Sequence, residues 1–96
     1  MASYVVLVNW TEQGARSAKD TLQRAHAFSE LAQSMGGKVT SVNWTIGPYD
    51  IVITAEAPDD ETVTRMALAV GLQGNARTVT MRAFGEAEMK KILSGL

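Results

Sequence analysis

The chain has 96 residues, 46 % hydrophobic and 20 % charged, with a formal net charge of −1 and no cysteine. That length suits one domain with a modest core. The mixed charge offers no basic stripe for nucleic acid, and the missing thiols exclude disulfides, thiolate catalysis and cysteine-based zinc sites.

Tyr4 to Trp10 is β-branched, aromatic and nearly all apolar, which predicts a central strand. It begins directly after Met1-Ala2-Ser3, without the basic stretch and cleavage site of a signal peptide, and no apolar run approaches the ~20 residues of a membrane span. A cytoplasmic protein is expected. Thr11 to Gly14 reads as a turn. Between Ala18 and Met35 the apolar residues recur at three and four, which makes one helix face, and Gly36-Gly37 ends it. Lys38–Ile46 and Tyr49–Ala57 read as strands joined by a turn at Gly47-Pro48. Pro58 followed by Asp59-Asp60-Glu61 starts a helix, with acids where the macrodipole favours them, and Gly74-Asn75 ends it after Leu72. Arg77–Phe84 alternates Val79, Met81 and Ala83 against Thr78, Thr80 and Arg82. A short helix, Glu86–Leu93, is expected to turn Met89, Ile92 and Leu93 inward.

The order β-α-β-β-α-β plus a terminal helix is that of an α+β, ferredoxin-like sandwich. Its four-stranded antiparallel sheet, in the order 4-1-3-2, carries both long helices on one face. A two-residue turn sets Thr45 opposite Asp50, Trp44 opposite Ile51 and Asn43 opposite Val52. The tetrad Val-Asn-Trp-Thr at 8–11 recurs at 42–45 and ends two strands that run parallel. Alternation then puts Tyr4, Val6, Val8, Trp10, Trp44, Ile51, Ile53 and Ala55 under the helices. The opposite face is expected to carry Val5, Leu7, Asn9, Asn43, Thr45, Asp50, Val52, Thr54, Glu56, Thr78, Thr80, Arg82 and Phe84. Nothing within one chain covers it, and it is too apolar for permanent exposure. A homodimer or higher homo-oligomer is therefore expected, with Val5, Leu7, Val52, Thr54, Thr80, Arg82 and Phe84 at the interface.

The segment Gly47-Pro48-Tyr49-Asp50 resembles the signature of the GYD family, in which Gly, Tyr and Asp mark this turn. The likeness extends from Tyr4 to about Leu93, notably through Ala57-Pro58-Asp59-Asp60-Glu61 and Gly74-Asn75-Ala76-Arg77-Thr78. It implies a ferredoxin-like fold related to the dimeric α/β barrels and no assigned activity. Gly47, Tyr49 and Asp50 carry over as signature positions only.

The topology gathers Asn9, Asn43, Thr45, Tyr49, Asp50, Arg77 and Thr78 at one end of the sheet, next to Asn75. These offer donors, acceptors and one carboxylate, and form the candidate pocket for a small-molecule ligand. Alternatively, Asp50 bonds backbone N–H groups at the turn while the asparagines pair across an interface. His26 reads as a partly solvated helix residue beside Arg24, without a second ligand or a triad partner. Glu56 and Arg82 suit an ion pair on the open face, or Arg82 a substrate carboxylate. No glycine pattern cradles phosphate, and no acid or histidine spacing holds a metal, so no cofactor is expected. Three functions fit these residues. One is a homo-oligomeric binding or structural module. Another is a cofactor-free monooxygenase or isomerase for an aromatic or polyketide-like substrate, with Asn9, Asn43 and tryptophan orienting it and Asp50 or His26 moving protons. The third is a subunit of a larger enzyme, docking by the open face.

Overall fold

A computed structural model describes residues 1–96. In chain order it contains β1 (Ala2–Trp10), α1 (Glu12–Arg16), a 3-10 turn (Ala18–Asp20), α2 (Thr21–Ser34), β2 (Lys38–Trp44), β3 (Ile51–Ala57), α3 (Asp60–Leu72), β4 (Ala76–Ala83) and α4 (Glu86–Leu93). The four strands form one antiparallel sheet in the order β2-β3-β1-β4, the expected ferredoxin-like arrangement.

The β2–β3 register is Asn43 opposite Val52 and Trp44 opposite Ile51, as the turn spacing predicts. The strands themselves stop earlier, at Trp44 and Ile51, because Thr45 bonds back across the loop: its N–H donates to Asp50 O and its hydroxyl to Tyr49 O. Thr40 bulges out between paired Val39 and Ser41, and its hydroxyl and that of Ser41 both meet Thr54 Oγ1.

On β1, alternate residues Tyr4, Val6 and Val8 are buried, facing Ile51, Ile53, Ala55 and Ala57 of β3 and the helices above. Helix α3 starts cleanly because Asp59 accepts from both the N–H and the hydroxyl of Thr62, which also holds its carboxyl below the ordinary range. At the same end of the sheet, the buried Tyr4 hydroxyl donates to Asp60 Oδ1 at 2.5 Å and ties β1 to α3. Burial foremost, and then the Asp60 carboxylate, push this phenol up to about 12.

Two expectations are corrected. Thr11 to Gly14 is not a bare turn: Thr11 caps α1 by accepting the Gly14 N–H. Helix α4 forms over the expected residues, but Met89, Ile92 and Leu93 remain 42 %, 45 % and 52 % exposed, because α4 leaves the edge strand and finds no core to pack on. The chain is accordingly extended, with a radius of gyration of 14.2 Å against about 12.5 Å for a compact domain of this length.

Candidate functional site

The uncovered sheet face is more apolar than the sequence pattern suggests. Expected there were Thr78, Thr80 and Arg82, but the register sets them beside Val8, Val6 and Tyr4, on the helix side. Their alternates Val79 and Met81 lie opposite Leu7 and Val5 instead, 48 % and 44 % exposed. A strand's faces are fixed by its pairing partner, and β4 pairs with β1 one step away from the assumed phase. The centre of the bare face is thus aliphatic: Leu7 between Val52 and Val79, and Val5 between Thr54 and Met81. Hydroxyls of Thr40, Ser41 and Thr54 edge it on one side.

Arg82 consequently does not pair with Glu56. It donates to Glu88 Oε2 at 3.1 Å, and this bond, with one from the Gly85 N–H, keeps the Glu88 carboxyl below its usual range. Its guanidinium lies 4.6 Å from the Phe84 ring centroid and 5.7 Å from that of Tyr4. Phe84 itself continues past the end of β4 and is 51 % exposed.

The residues of the expected pocket are distributed over several environments. Asn9 and Arg77 stand opposite each other on β1 and β4, while Asn43 lies on the outer strand in the row of Val52 and Leu7. Thr45 and Tyr49 close the turn. Asp50 serves backbone: its Oδ2 accepts the Trp10 N–H at 2.9 Å, and its own N–H donates to Val8 O. The carboxylate thereby extends the β1–β3 ladder one step beyond Ile51, where the chain has already turned away. His26 is exposed on α2.

A separate space lies on the other side of the sheet. Beneath α2 and α3 is a cavity of about 280 Å³. Val6, Ile53, Phe28, Leu31 and Val63 are among its apolar walls. Its polar lining is Thr21, Arg24, Gln73, Asn75, Thr78 and Thr80. Of the expected pocket residues only Thr78 lines it. Arg24 is its one ionisable lining group. That guanidinium donates to Ser17 O, Ser17 Oγ and Gly14 O, all neutral acceptors. Deeper along β4, Thr80 Oγ1 is buried without any hydrogen-bond partner.

The polar end of the cavity is built by α1, which the sequence reading missed. Gly14 packs directly on the turn after α3: a Cβ there would lie 1.9 Å from the Asn75 carbonyl oxygen. Around that contact Thr11 N–H donates to Asn75 O, Thr11 Oγ1 to Gly74 O, and Gln13 Nε2 to Asn75 Oδ1. Gly74 takes φ +81°, a left-handed conformation that ends α3. The Thr11-x-x-Gly14 spacing was the available signal for this cap.

Comparison with known proteins agrees with the signature turn. The model of the GYD domain matches residues 4–93. The chain belongs to the GYD domain family. The GYD chain is 31 % identical over 90 residues to the glutamine synthetase and cystathionine beta-lyase binding protein of Thermus thermophilus, covering 93 % of this chain and 95 % of that relative. A crystal structure of a protein from the same organism is similar with a TM-score of 0.55 and 25 % identity, over 88 % of this chain and 95 % of that one. No helix of the GYD chain is long and apolar enough to cross a membrane.

Proposed function

We propose that this GYD protein is a homo-oligomeric binding module whose bare sheet face packs against a second copy. The observation that carries the reading is the aliphatic centre of that face, with Val79 and Met81 nearly half exposed in a single chain. A face-to-face arrangement withdraws that surface from water and leaves the polar edges at the rim, the usual anatomy of an interface. The unpacked apolar residues of α4, with Phe84, support the same reading, since a second subunit offers the surface they lack.

The name of the Thermus relative favours a second reading, in which the module docks on a larger metabolic enzyme by the same face. Both readings make the protein a binder. The cavity supports binding over proton-transfer chemistry as well, since its lining supplies no carboxylate or imidazole. Native mass spectrometry of protein purified from its own host tests the proposal. Masses at multiples of 10.3 kDa are expected. A monomer, or a species found only with a different, larger chain, would refute self-association.

A further inference from the structure

The cavity beneath α2 and α3 carries an inference independent of what covers the opposite sheet face. Its walls are apolar, yet two of its polar groups lack the partners their chemistry calls for. Arg24 is half-buried and bonded only to neutral oxygens, while the ion pairs of the chain involve Arg16 with Glu12 and Arg82 with Glu88. A half-buried guanidinium that meets only neutral oxygens has no counter-charge within the chain, and a carboxylate would supply it. Thr80 Oγ1 is buried with no partner at all, an exception among buried hydroxyls.

These two groups occupy different depths. Arg24 reaches Gly14 and Ser17, at the end where α1 docks on Asn75, and Asn75 leads into β4 at Ala76. Thr80 is four positions further along that strand, roughly 13 Å at ~3.3 Å per residue. A volume of about 280 Å³ takes on the order of ten non-hydrogen atoms at roughly 30 Å³ for each water-sized group. Its size sits at the small end of ligand sites, and an apolar enclosure with a few placed polar groups is their usual character.

We propose that this cavity binds a small aromatic or aliphatic carboxylate whose acid group pairs with Arg24 and whose far end carries an oxygen that meets Thr80. The carboxylate completes the Arg24 charge in a fork-to-fork contact. The apolar body fills the space between Phe28, Leu31 and Val63, and the distal oxygen satisfies the orphaned hydroxyl.

The test is a titration of the full chain, followed by amide NMR shifts and calorimetry, with three probes. 3-(4-Hydroxyphenyl)propionate carries both groups, 3-phenylpropionate lacks the distal oxygen, and 3-(4-hydroxyphenyl)propan-1-ol lacks the charge. The first is expected to bind at tens to hundreds of micromolar and to shift Val6, Phe28 and Thr80, and the other two more weakly. Arg24→Gln should weaken the two acids at least tenfold and the alcohol less than threefold. Thr80→Val should erase the preference for the phenol. Because Arg24 also holds Ser17 and Gly14, Arg24→Lys and the cavity-filling Ala67→Phe provide independent variants. Lysine should retain part of the acid preference, and phenylalanine should block all three probes. Failure of every probe at millimolar concentration would overturn the proposal, and so would an Arg24→Gln variant that weakens acid and alcohol alike. Binding that survives Ala67→Phe would place the ligand elsewhere and overturn it too.

Discussion

Leu7→Lys is the sharpest perturbation of the bare sheet face. Leu7 sits at its centre, flanked by Val52 and Val79. Fully burying a large aliphatic side chain contributes ~1.5–3 kcal/mol. Val79 and Met81 are nearly half exposed in the single chain, so covering the remainder contributes ~1 kcal/mol for each such residue. Val5, Leu7, Val52, Val79 and Met81 on each of two copies then supply on the order of 10 kcal/mol. That gain is comparable with the ~4–15 kcal/mol cost of association, so a single central change decides the equilibrium. Lysine at position 7 removes ~1 kcal/mol of burial from each copy and brings two like charges into an apolar contact, at several further kcal/mol. A total of at least ~4 kcal/mol corresponds to a roughly thousandfold weaker dimer. The monomer fold should survive, because the new side chain can lift its ammonium into water from an uncovered face. Sedimentation velocity over a wide concentration series should show wild type associating and Leu7→Lys monomeric throughout, with unchanged far-ultraviolet dichroism. A variant that associates as tightly as wild type would refute the placement of the interface.

Gly14→Ala should be among the most damaging small substitutions, costing ~3 kcal/mol or more in denaturant unfolding, because the new methyl meets the Asn75 carbonyl oxygen. Wild-type stability would contradict that docking. Asp50→Ala leaves the Trp10 N–H without its acceptor, and chemical denaturation should show a loss of ~1–2 kcal/mol. Asp50→Asn, which keeps an oxygen, should lose less, and the reverse order would rule out the backbone role. Tyr4 has its phenol pushed up to about 12 in the folded chain, so the native state holds that proton more tightly than the unfolded one. Its contribution is complete below pH ~10 and fades as pH rises from ~10 to ~12. Tyr4→Phe should remove this alkaline loss, and an unchanged alkaline unfolding profile in the variant would contradict it.

Periodicity made the fold legible: the long strands, both main helices and the β2–β3 register follow from residues such as Gly47-Pro48 and Pro58-Asp59. Strand phase on β4 was less accessible, since Val79/Met81 and Thr78/Thr80 are both acceptable against either face. Only pairing with β1 chooses between them. The burial assumed for α4 failed for a similar reason: an amphipathic repeat reveals a sticky side but not whether the same chain reaches it. The backbone alternative for Asp50 was readable from its place beside a turn, although its acceptor duty falls on a strand 40 residues away. The cavity was hidden, because it depends on the gap left between α2 and α3 and on how Gly14 seats against Asn75.

The most direct measurement is an isotope-filtered NOE experiment on an equal mixture of labelled and unlabelled protein. Contacts between the Met81 and Val79 methyls of one copy and Leu7, Val5 or Val52 of another are what a sheet-to-sheet pair must produce. Their absence in a sample that is demonstrably dimeric, or a sample that stays monomeric throughout, would contradict it.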